Sequence, residues 1–178
     1  MKRSLFLIAF LFSISTLFAQ TEKGHLLVGG TGNLGITTFD DQSIFVFNVS
    51  PSISVFIQDN LALGGILGFG ITSSENFTSI SYGISPSVRY YFDSANAKSK
   101  IFLVAEVGLV GSSTENLGFN NSDTGYRILI GPGIDLFLSE SVALEGILSY
   151  NYNNISEFTK TSNFGINVGF QVFLAPNE

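Results

Sequence analysis

The chain has no cysteine and no tryptophan, and only one methionine and one histidine among its 178 residues. Without cysteine there is no disulfide framework, no thiolate-held metal and no lipid-modified N-terminal cysteine. With His25 alone, metal sites built from several imidazoles are excluded, and histidine catalysis becomes a question about one residue. Charge is scarce as well: 12% of the residues are charged, against about 25% in ordinary soluble domains. The balance is acidic, 14 Asp and Glu against 8 Lys and Arg, which leaves no basic patch for nucleic acid. What remains is 45% hydrophobic, with 19 glycines and 18 phenylalanines, in a length that suits one domain. A chain this apolar either buries its surface unusually well or meets lipid.

The N-terminus reads as a sorting signal over residues 1–19. Met1-Lys2-Arg3 supplies a basic start, Leu5 to Leu17 an apolar run, and Ala19 a small residue at which to cut. The run falls short of the roughly 20 apolar residues that a membrane helix requires. Removing residues 1–19 takes away Lys2 and Arg3, leaving 6 basic against 14 acidic residues and a net charge of -8. Residues 20–178 form the second unit.

That unit alternates at period two in eight segments. In the first, Leu26, Val28, Leu34 and Ile36 oppose Gly29, Thr31, Asn33 and Gly35. In the fourth, Ile80, Tyr82, Ile84, Val88, Tyr90 and Phe92 oppose Ser79, Ser81, Ser85, Ser87, Arg89 and Tyr91. The eighth sets Phe164, Ile166, Val168, Phe170, Val172 and Leu174 against Gly165, Asn167, Gly169 and Gln171. Alternation of this kind is a strand signal, and no window carries a helical stripe.

The character of the two faces decides what surrounds them. The second face is mostly Gly, Ser and Ala with few charges, too poor in charge for a water-facing surface. The first is continuous Leu, Ile, Val, Phe and Tyr, with Tyr82, Tyr90, Phe92, Tyr126, Tyr150 and Tyr152 towards strand ends. Such a pattern describes a lipid-facing band with aromatic girdles around a lumen of small and polar side chains. Lipid also demands closure, because an open sheet edge would strand backbone N–H and C=O groups. The expected fold is an all-β, eight-stranded antiparallel up-and-down transmembrane β-barrel. Tight turns are expected at Gln58-Asp59-Asn60 and Ser139-Glu140-Ser141, and a longer one at residues 93–100. Residues 38–42, 72–76, 113–123 and 153–160 are expected as longer, mostly acidic loops at the opposite, outward end.

An internal repeat supports this. Residues 50–57 and 131–138 carry the same Pro-centred strand, at Pro51 and Pro132, each followed by a turn and an Ala-Leu strand. Ser85-Pro86-Ser87-Val88 repeats the strand half. Three prolines at equivalent positions are read as a repeated bend in the wall. The stretch from Ser50 to Gly64 resembles the strand–turn–strand signature of small outer-membrane β-barrel domain proteins, the OmpA/OmpX/OmpW-like group. The last strand, Asn167 to Leu174, is similar to the assembly signal of such barrels, with Val172 and Leu174 where aromatics are usual. The resemblance implies a Gram-negative outer membrane, reached through the periplasm. It implies outer-membrane lipid and lipopolysaccharide as partners, the barrel-assembly machinery during insertion, and a non-enzymatic structural or surface-interaction role. A narrow OmpW-like channel for small apolar solutes or ions is the alternative.

Several motifs invite chemistry and lack its context. Gly30-Thr31-Gly32-Asn33-Leu34-Gly35 is a formal G-x-G-x-x-G, but a strand follows where a dinucleotide site needs a helix. His25 has no second histidine and no G-x-S-x-G elbow to work with. Asp40, Asp41, Glu75, Glu115, Asp123 and Glu157 lack calcium-loop spacing and read as a solvated rim. No catalytic, cofactor or metal residues are therefore assigned. The informative set is five ionisable residues on the lumen face: Arg89, Glu106, Arg127, Asp135 and Glu145. Charges inside a membrane wall are costly and need partners. Counting from the turns places Arg89 near Glu106 and sets Asp135 facing Glu145, an acid pair that needs a cation from across the barrel. An internal hydrogen-bonded plug is the favoured reading over an ion path.

Overall fold

The computed structural model describes residues 19–39, 42–75, 77–93, 98–116, 119–156 and 159–176. Apart from Ala19, the sorting signal expected over residues 1–19 lies outside them, as do Asp40, Asp41 and Glu157. A short 3-10 turn, Ala19–Thr21, leads into eight strands: β1 (Leu26–Phe39), β2 (Gln42–Gln58), β3 (Leu61–Ser73), β4 (Phe77–Tyr91), β5 (Ser99–Asn116), β6 (Phe119–Phe137), β7 (Val142–Ser156) and β8 (Thr159–Leu174). Each pairs antiparallel with its chain neighbours, and β8 returns to β1 to close the barrel.

The alternation in the sequence becomes the two sides of the wall. On β4, Ser85, Ser87, Arg89 and Tyr91 are buried, while Ile84, Val88 and Tyr90 point outward. Ile84 is 57% exposed and its neighbour Ser85 only 4%, so one residue separates the lipid side from the lumen. The outward face is an almost unbroken band of large apolar side chains, from Leu26 and Ile53 through Val107 and Leu148 to Phe170. Aromatic pairs stand on this face: Tyr90 meets Phe92 edge-on at 5.3 Å between centroids at the end of β4, and Tyr126 meets Tyr152 at 6.1 Å between β6 and β7.

The strands are longer than the sequence reading. They run 13 to 19 residues, where a tilted transmembrane strand needs about 9–11. Most of the excess lies at the end opposite the termini. Three of the expected outward loops are largely hairpin ladder: Ser113 pairs Ser122, Thr114 pairs Asn121 and Glu115 pairs Asn120. Thr38 likewise pairs Ser43, and Asn154 pairs Lys160. Ser99 and Lys100, read as turn, open β5. In these Asn-, Ser- and Thr-rich segments both faces meet water, so hydrophobic alternation fades while the backbone ladder continues.

The prolines do what their chemistry requires. Between β2 and β3 the pairing lapses from Val49↔Phe69 to Ser52↔Ile66, across Pro51. Between β4 and β5 it lapses from Ile84↔Leu109 to Ser87↔Glu106, across Pro86. Between β6 and β7 it lapses from Ile130↔Tyr150 to Gly133↔Ile147, across Pro132. Each proline lacks the N–H that a ladder position needs. The repeat therefore marks three equivalent interruptions, each on the side of the following strand.

Candidate functional site in the barrel interior

The lumen is layered from the terminus end outward. Its floor is aromatic: Phe56, Tyr91, Phe102 and Phe173 are buried together with Leu27, and half-buried Phe137 packs against them. Tyr91 lies 5.6 Å from Phe56 and 5.2 Å from Phe102 between ring centroids, and Phe137 lies 5.1 Å from Phe173. Gly133 makes room for this packing, since a Cβ there would stand 2.3 Å from the Phe102 ring.

Above the floor sits the first charge layer. Arg89 reaches across the lumen to Glu145 on β7 with both terminal nitrogens: Nη1 donates to Oε2, and Nη2 donates to Oε1 at 3.3 Å. A forked pair of this kind is directional as well as strong. Its guanidinium carbon also lies 5.0 Å from the Phe102 ring centroid, which ties the charge to the floor. Gln171 Nε2 donates to Glu145 Oε1 at 3.1 Å, and Tyr91 OH donates to Asp135 Oδ2 at 2.9 Å. Gln171 can lie there because its wall neighbour is Gly29, where a Cβ would come within 2.4 Å of Gln171 Oε1. Arg89, Asp135, Glu145 and Gln171 are all buried.

A second layer lies further out, where Arg127 Nη2 donates to Glu106 Oε2 at 2.7 Å. A cavity of about 60 Å³, touched by Arg89, Glu106, Arg127 and Gln171, separates the two layers. Beyond Arg127 the lumen widens into a vestibule of about 360 Å³ lined largely by Asn, Ser and Gly.

All five residues named from the sequence thus face the lumen, and Asp135 stands opposite Glu145 as expected. The cation that this acid pair requires is Arg89. Pairing Arg89 with Glu106 is the sequence expectation that the structure overturns. In the β4–β5 register Arg89 sits opposite Val104, and Ser87 is the residue opposite Glu106. Counting along adjacent strands ignores the reach of a long side chain through a narrow lumen, and the nearest unpaired acid lies three strands away. Sequence reasoning missed Gln171 and Phe56 as interior partners, although parity puts both on the lumen side.

The terminus end is tied by the chain's own first described residues. Gln20 Nε2 donates to the Glu140 carbonyl at 2.7 Å, and Thr21 Oγ1 donates to Asn60 Oδ1 at 2.6 Å. Lys100 Nζ donates to Thr21 Oγ1 at 2.8 Å, and Asn60 Nδ2 donates to Asp93 Oδ1 at 2.8 Å. His25 is buried there, with Nδ1 3.1 Å from the Glu22 carbonyl. At the outer end Glu75 and Glu115 are exposed, and Asn121 Nδ2 donates to Asp123 Oδ2 at 3.0 Å. Among the described residues no cluster of His, Cys, Asp and Glu has the geometry to hold a metal.

A closed antiparallel barrel with an apolar exterior and a charged, hydrogen-bonded interior defines a transmembrane β-barrel. The chain belongs to the outer membrane protein beta-barrel domain family, whose model matches residues 4–171. It is an outer-membrane protein of the Gram-negative type. Among solved structures it is similar to the N-terminal beta-barrel domain of Pseudomonas aeruginosa OprF, at 13% identity and a TM-score of 0.58, covering 85% of this chain and 98% of that one. It is also similar to Neisserial surface protein A, at 19% identity and a TM-score of 0.56, covering 83% of this chain and 94% of that one. No curated protein matches it by sequence.

Proposed function

We propose that this is a non-enzymatic barrel with a structural or surface-interaction role, and that Arg89, Glu106, Arg127, Asp135 and Glu145 act as an internal plug. The observation that carries the reading is the buried Arg89–Glu145 fork standing directly on the aromatic floor. An eight-stranded barrel encloses little more than its own side chains, and here they are large and mutually bonded. One of the similar structures is, by its name, a surface protein. The chain is exported through the periplasm after loss of residues 1–19 and inserted by the barrel-assembly machinery. In place, outer-membrane lipid and lipopolysaccharide surround it.

Single-channel recording of refolded protein in a planar bilayer tests the plug. The expected conductance is near background. A steady, cation-selective conductance abolished by Glu106→Gln or Glu145→Gln would replace the plug with an ion path and favour the narrow-channel alternative.

A further inference from the structure

The barrel is closed by β1 and β8, but only along part of their length. Pairing runs from Leu26↔Leu174 to Gly32↔Val168 and stops. Residues 33–38 of β1 and 160–167 of β8 have no partner across this seam among the described residues, although each strand pairs fully with its other neighbour. The stop falls within the apolar band. Leu34 and Ile36 on one lip, and Phe164 and Ile166 on the other, are the four most exposed large apolar side chains described, at 70%, 71%, 78% and 76%. Unpaired backbone at this depth is tolerated where it borders a cavity or meets a partner, not where it faces bare hydrocarbon.

Both sides of the gap are shaped. Behind it lies the vestibule, whose lining includes Asn33, Asn48, Asn151, Asn163 and Asn167. Asn48 Nδ2 donates to Asn33 Oδ1 at 2.9 Å, and Asn167 Nδ2 donates to Ser149 Oγ at 2.9 Å, so the amides are held in place. The one charged residue on that lining, Arg127, is already bonded to Glu106. Below the gap, on the lipid side, Gly30 and Gly32 present no side chain. An apolar groove of about 570 Å³ runs over them between Val49 and Pro51 on one flank and Val168, Phe170 and Val172 on the other.

We propose that the outer half of the β1–β8 seam is a lateral mouth that takes one single-chain amphiphile from the membrane. Its uncharged, hydrogen-bonding head enters the amide-lined vestibule, and its alkyl chain passes between the lips and lies in the glycine groove. A charged head is disfavoured because Arg127, the one charged side chain on the vestibule lining, is spent on Glu106. A second copy of the chain could pair with the bare strand edges, but would leave the vestibule and the groove unfilled. The inference builds on the blocked barrel proposed above, but its readout is binding and does not depend on conductance.

The test is native mass spectrometry of refolded protein released from micelles with 1-oleoylglycerol present, each variant first checked for heat-modifiable migration. The wild type should retain a single adduct. Gly32→Leu, which fills the groove, should lower its occupancy at least tenfold. Val49→Phe narrows the same groove from β2 and serves if the first variant does not fold. Continuing the register sets Asn33 opposite Asn167, and the chain has no cysteine of its own. Oxidised Asn33→Cys/Asn167→Cys should therefore lose the adduct, and reduction should restore it at least tenfold. Several non-saturating adducts, equal in all variants, would mean ordinary boundary lipid and overturn the proposal. Equal competition by decane, which has no head, would overturn the role of the vestibule. An adduct-free wild type that is dimeric, and made monomeric by the oxidised pair, would put a second copy at the seam instead.

Discussion

Arg89→Ala is the perturbation that most directly probes the interior. Arg89 is 3% exposed and Glu145 is fully buried, so neither charge is open to bulk solvent. Removing the guanidinium leaves Glu145 with the Gln171 amide alone, directly opposite Asp135. Breaking a buried pair in this way costs about 3–5 kcal/mol. The lost contact with Phe102 adds up to about 2 kcal/mol where the cation is desolvated. We expect the folded barrel to lose about 3–7 kcal/mol, read from urea titrations in phospholipid vesicles by the shift between fast- and slow-migrating bands. The double variant Arg89→Ala/Glu145→Gln should recover a large part of the loss, because the orphaned charge is gone. Arg89→Ala/Glu106→Gln should recover none of it, since Glu106 has Arg127. A loss below about 1 kcal/mol, the scale of exposed ion pairs, would refute the reasoning. So would rescue by Glu106→Gln in place of Glu145→Gln.

Two further outcomes test the wall. Ile84→Arg should destabilise the folded state by about 2–4 kcal/mol, as expected for a cation on the lipid face near the bilayer midplane, while Ser85→Arg avoids that penalty. Labelling of single cysteines from the lipid phase should reach position 84 and miss position 85; the reverse would invert the two faces. Gly133→Ala should cost about 1–3 kcal/mol by overpacking, because Phe102 must leave its place on the wall. An unchanged near-ultraviolet aromatic signal and unchanged urea midpoint would show that Phe102 does not lie there.

The strands and their facing were legible because lipid and lumen make opposite demands on alternate residues. Ser85, Ser87, Arg89 and Tyr91 could be sent inward, and Ile84, Val88 and Tyr90 outward, from parity alone. Strand ends were not legible. Past the membrane the same ladder is built from Ser113, Thr114, Asn121 and Ser122, for which neither face need be apolar. Within the site, parity found all five ionisable residues, and the strand register found the Asp135–Glu145 opposition. It could not find Arg89–Glu145, because that contact crosses open lumen between β4 and β7. Nor could it see that Gln20 and Thr21 are built into the floor, since they precede the first alternating segment.

Those two residues make the floor a record of completed assembly. Gln20 holds a carbonyl 120 positions away, in the turn between β6 and β7, while Thr21 holds the turn between β2 and β3 and meets Lys100 at the start of β5. These three places come together under the barrel only after the wall has curled round. The clasp cannot form on a partial sheet, however many hairpins it contains. The first described residues of the chain are thus among the last to be fastened.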